Sequence, residues 1–178
     1  MFFKFATFGP FLLERKSGHV AESDLKSLWG RVDADPHDGL TQAIGIYIFA
    51  TANTSGSLVP WYVGKTDAGF KKRLDKHWKL FATLAEKAPE GDLRLFLIAR
   101  ITPTTAKFRK SGKNKLASID DLESMMIGSC LSKNPEVANE KKKAWHNGLY
   151  VPGYYGDEKT DKRDGAALAL RSMLKNAR

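Results

Sequence analysis

Residues 45–65 read GIYIFATANTSGSLVPWYVGK. Two tripeptides, Gly45-Ile46-Tyr47 and Tyr62-Val63-Gly64, bracket a polar stretch, and each sets a tyrosine and a glycine in a run rich in β-formers. Such runs, separated by ANTSGS, predict strands over 45–50 and 58–64 joined as a hairpin with a loop longer than the tightest turns. Glycine costs conformational entropy inside a strand, so its presence in both tripeptides needs a reason. Either the glycines form ordinary bulges, or they let a ligand's backbone come close.

Working outward, AGFKKRLDKHWKLFATLAEKA (68–88) predicts one amphipathic helix. Phe70, Leu74, Trp78, Phe81, Leu84 and Ala85 share its apolar face, and Lys71, Lys72, Asp75, Lys76 and Lys79 the other. LRLFLIARI (93–101) predicts a third strand, and the basic segment TPTTAKFRKSGKNK follows it as a loop. SIDDLESMMIGSCLSK (118–133) predicts a second amphipathic helix, capped by Ser118 and stopped by Asn134-Pro135. Before the hairpin, FFKFATFGPFLL offers one or two short strands packed at the side of the domain, and ESDLKSLWG (22–30) a short helix stopped by Gly30. A last helix is expected over 164–177.

The 178 residues predict a single domain able to bury a real core. With 42% hydrophobic and 28% charged residues the chain reads as an ordinary soluble globular protein and not a disordered one. A net charge of +9 favours polyanionic partners, nucleic acid before an anionic membrane surface. Cys130 is the single cysteine, which excludes an intrachain disulfide and a cysteine zinc cluster and fits a small core residue in a reducing compartment. No apolar run approaches the length of a membrane helix, and the apolar N-terminus is interrupted by Lys4 and Gly9-Pro10, so a cytoplasmic location is expected.

Three polar residues break the helical patterns. His77 lies inside the apolar arc of the first long helix, with Arg73 one turn before it, and Glu123 lies in the apolar arc of the second beside Met126, Ile127 and Cys130. A carboxylate facing a core is costly unless it is paired, hydrogen-bonded or bound to metal. Singly, each residue reads more readily as a satisfied core group or salt bridge. Together with two tyrosines in a basic chain, they make a reasonable set for phosphodiester chemistry, which needs a metal-holding carboxylate, a cation on the phosphate and a base for water.

This order of elements resembles the GIY-YIG nuclease superfamily: GIY at 45–47, YVG at 62–64 as a form of YIG, Lys65 directly after it, Arg73 on the following helix, Glu123 on the helix after the third strand, and Asn139 downstream. The resemblance spans residues 43–142, leaving 1–42 and 143–178 as elaborations of unknown role. The hairpin loop and the basic insert are both longer than in compact members. The resemblance implies an α+β fold, a three-stranded antiparallel sheet flanked by helices. It implies a metal-dependent DNA endonuclease in which Glu123 ligates Mg²⁺, with Mn²⁺ able to substitute, and Arg73 clamps the phosphate. Tyr47 is the candidate base, helped by Tyr62, Lys65 or His77, or with His77 itself taking part in the proton transfer, and Asn139 braces the site. DNA, and no membrane, is the expected partner, with Lys65, Lys71, Lys72, Lys107, Arg109, Lys110 and Lys113 as phosphate contacts. The competing reading is a catalytically silent nucleic-acid-binding module on the same fold.

Overall fold

The computed structural model describes residues 3–15, 19–34, 39–52, 55–87, 91–112 and 116–148, together with 169 and 173. The chain packs as two compact units, Met1–Asn139 and Glu140–Arg178. The first contains β1 (Lys4–Leu13), α1 (Glu22–Asp33), a 3-10 turn at Leu40–Gln42, β2 (Gly45–Ala52), β3 (Leu58–Thr66), α2 (Phe70–Lys76), α3 (Trp78–Lys87), β4 (Asp92–Ile101) and α4 (Ala117–Leu131). The second contains α5 (Glu140–Gly148), and the helix expected over 164–177 lies mostly outside the described residues.

The fold is α+β, but its antiparallel sheet has four strands and not three, in the order β1-β4-β2-β3. The extra strand is the opening aromatic segment. It runs as one strand along β4 from Lys4↔Ile101 to Leu13↔Leu93, with its register shifted between Phe8 and Phe11 at Gly9-Pro10. A proline lacks the amide a central strand must donate, so an edge strand with an irregularity is where this segment can sit.

Strand alternation sends side chains to two layers. One face buries Tyr47, Phe49, Leu93, Leu95, Leu97 and Ala99 against α1, α2 and α3, including Leu25, Trp29, Phe70, Leu74 and Phe81. The other sets Ile46 and Val63 against Ile119, Ile127 and Cys130 of α4. Cys130 is a buried thiol, and burial pushes its pKa up to about 11.

Three helix expectations are corrected. Gly30 does not stop α1, which continues to Asp33 and ends with Ala34 still in the right-handed region, so no left-handed glycine is needed. The single helix over 68–88 is two, because His77 (φ −112°, ψ 20°) leaves helical geometry, and the two amides at the join, His77 N and Leu80 N, bond three residues back. Ser118 is not the cap of α4; Leu116 holds that position, and the Ser118 hydroxyl accepts a bond from Arg100. Among the described residues no helix is long and apolar enough to cross a membrane.

Candidate active site

The two glycines of the hairpin are there for packing within the fold. Gly64 lies directly across from Tyr47 in the β2–β3 ladder, and the Tyr47 ring lies over it. A Cβ at position 64 would fall 2.6 Å from Tyr47 Cε2 and closer still to the phenol end. At Gly45 a Cβ would overlap the carbonyl oxygen of Ile98 on β4. At both glycines the atoms that a Cβ would meet are the protein's own.

Tyr47 is fully buried, with its ring edge-on to Phe81 at 6.1 Å and tilted against Tyr62 at 6.2 Å. Burial pushes its pKa well up; nearby Tyr62 adds to this and Arg73 partly offsets it. Tyr62 is also raised, by burial first, with Arg73 pulling down and Glu123 pushing up. The hydrogen bond between the phenols raises Tyr47 and lowers Tyr62, as expected when Tyr47 donates. Tyr47 is the more deeply buried of the two phenols, and Tyr62 accepts its hydrogen bond.

Arg73 reaches this pair from α2. Its Nη1 lies 2.7 Å from His77 Nε2, and a guanidinium can only donate, so His77 accepts there and keeps its proton on Nδ1. Burial, then the charges of Arg73 and Lys76, lower the His77 pKa and hold the ring neutral. The break after α2 thus places His77 as a positioning partner for Arg73. Arg73 Nε is buried and has no partner among the described residues. A buried unpaired N–H costs free energy, and an anion beside it would remove that cost.

Glu123 is buried on α4, and Lys65 Nζ lies 3.5 Å from its Oε2. Lys65 also pairs with Asp120, one turn earlier on the same helix, a residue for which the sequence pattern gave no functional signal. Burial lowers the Lys65 pKa, but the Asp120 bond and the Glu123 charge outweigh it and the net shift is upward. Lys65, Thr66, Asp67, Arg73, Leu116, Ile119 and Asp120 line a cleft of about 220 Å³. Among the described residues no cluster of three or more His, Cys, Asp or Glu could cage a metal. Glu123 is the buried carboxylate here that could hold a cation, with water completing the shell.

Asn139 stands outside the cleft. Its Oδ1 accepts from Val63 N at 2.9 Å and its Nδ2 donates to Val63 O at 2.5 Å. The side chain occupies the open edge of β3 as another strand would. Asn134 Nδ2 to Pro60 O (2.8 Å) and Ala138 N to Trp61 O (2.9 Å) continue this cover, and Asn139 is a brace for the backbone between Tyr62 and Gly64. Lys71 and Lys72 are exposed beside Arg73 on α2. Lys107, Arg109 and Lys110 are exposed on the segment after β4, and Lys113 lies outside the described residues.

No family model, curated protein or solved structure matches this chain.

Proposed function

We propose that this chain is a divalent-metal-dependent endonuclease that hydrolyses DNA phosphodiester bonds on a GIY-YIG-type core. The observation that carries the reading is the buried, unpartnered Nε of Arg73, set beside two hydrogen-bonded phenols, with Arg73 and Lys65 lining one cleft and Lys65 pairing with Glu123 behind it. A phosphate oxygen would take up that donor. Arg73 holds the scissile phosphate through its fork while His77 fixes the guanidinium from behind. Tyr62, as the phenolate that Arg73 and the bond from Tyr47 favour, would take the proton of the attacking water once its own phenol proton has passed to solvent, and the departing 3′ oxygen would take a proton from water. Lys65, paired with Asp120 and Glu123, would offer its ammonium to the phosphate were Glu123 engaged by a metal ion. Mg²⁺, or Mn²⁺ in its place, would be held by Glu123 and supplies charge neutralisation at the phosphate and at the departing 3′ oxygen.

The second reading, a silent DNA-binding module, draws on one observation: the Lys65 ammonium already neutralises Glu123. Supercoiled plasmid with Mg²⁺ or Mn²⁺ separates the two. The nuclease reading expects metal-dependent nicking that EDTA and Glu123→Gln each abolish while duplex binding persists. Tight binding without nicking on plasmid, single-stranded or branched DNA establishes the silent module.

A further inference from the structure

We propose that Arg100 and Arg109 form a phosphate subsite that grips the backbone of a DNA duplex beside the first turn of α4, outside the cleft. This rests on the reading of the chain as one that handles DNA. The basic segment after β4 is pinned and does not hang free. Thr102 N bonds Lys107 O (2.8 Å) and Ala106 N bonds Thr102 O (2.9 Å), with Ala106 in the left-handed region (φ 54°). Phe108 bridges to Ile101 and sets its ring edge-on to Phe8 at 5.4 Å. Arg109 N then bonds Arg100 O, Ile44 N bonds Arg109 O, each at 2.9 Å, and Lys110 bridges to Ala43. Backbone bonds therefore hold Arg109 beside Arg100.

The two guanidinium groups repel one another. Arg100 is half-buried, its Cζ lies 4.8 Å from the Phe3 ring centre, and its Nη1 donates to Ser118 Oγ at 3.0 Å. Burial, and then the Arg109 charge, both act against the charged form of Arg100. No carboxylate pairs with either arginine among the described residues, and residues 100–112 contain no Asp or Glu. A fold that fixes two uncompensated arginines side by side leaves a site that an anion relieves, and the stacked, hydroxyl-braced fork of Arg100 is preorganised for a phosphate diester. Exposed Lys107 and Lys110 on either side extend the positive surface along a polymer backbone, where a lone phosphate would leave them idle. The first turn of α4 joins this surface to the cleft: Ser118 holds Arg100, and Asp120, two residues on, holds Lys65.

The test is fluorescence anisotropy of a labelled duplex in EDTA, so that cleavage plays no part, across a salt titration. Arg109→Gln, at an exposed position, is expected to weaken binding about fivefold or more at low salt and to make the salt dependence shallower by about one unit of log–log slope. Arg100→Lys, which keeps the charge but loses the fork, is also expected to bind more weakly. Lys26→Gln, an equal loss of charge on the distant surface of α1 where Lys26 pairs with Glu22, is expected to bind as wild type. Wild-type binding by Arg109→Gln, or an equal loss in Lys26→Gln, overturns the subsite. So does an Arg109→Gln defect seen on anionic vesicles and not on the duplex. Absent plasmid cleavage with the Arg109 defect present removes the nuclease reading and leaves the subsite. Intact cleavage with Arg109→Gln binding normally does the reverse.

Discussion

At Gly64 the reason for the residue is steric and local. The Tyr47 ring fills the space where a side chain would stand, so Gly64→Ala must displace the phenol or open the hairpin. Overpacking of this kind costs about 1–3 kcal/mol, readable as a lowered thermal midpoint, and cleavage should fall with it because Tyr47 and Tyr62 would separate. His77 gives a pH prediction. Its folded pKa lies below the ordinary value of 6.5, so between the two values the unfolded chain binds more protons. The contribution is complete above the unfolded pKa and is lost as pH falls through the folded one. Unfolding measured from about pH 7.5 down to about pH 5 should show this loss, and His77→Gln should flatten it. The spacing of Arg73 and His77 was readable in the sequence, but Gly64's reason was not, since a glycine across a ladder is a relation between segments.

At the scale of elements, β3 is an edge strand whose exposed backbone is covered by side chains and by the 134–139 segment. Asn139→Ala leaves the Val63 N–H and C=O without their side-chain partner. It should cost about 1–3 kcal/mol in chemical denaturation, with Asn139→Asp, which keeps the acceptor and loses the donor, falling between. The break between α2 and α3 was hidden for a different reason. The apolar positions from Phe70 to Ala85 continue across it nearly in phase, so periodicity alone reads one helix where a single residue changes the chain's path.

For the whole Met1–Asn139 unit, the N-terminal residues are part of the core. Leu13, Val20, Leu25, Leu28, Trp29 and Val32 are buried with the central strands, Trp29 Nε1 bonds Asp75 Oδ1 on α2 at 2.6 Å, and β1 covers one edge of β4. Removing residues 1–42 should therefore abolish cooperative unfolding and not simply trim a surface. Circular dichroism melting of the truncated chain checks this, and a sharp transition near the full-length midpoint would refute it.

The sequence by itself determined the hairpin, the third strand, the apolar faces of the helices and the short set of polar residues worth following. These follow from local alternation, helical periodicity and the high cost of a carboxylate on an apolar face. The sequence offered strand in the opening segment; tertiary structure alone decided that it joins the sheet beside β4, because strand pairing is a contact between residues some ninety positions apart that leaves no local pattern. It likewise decided that Asp120 shares Lys65 with Glu123, that Asn139 closes a sheet edge, and that backbone bonds hold Arg109 beside Arg100. Charges and amides look alike in a sequence until the fold gives each its neighbour.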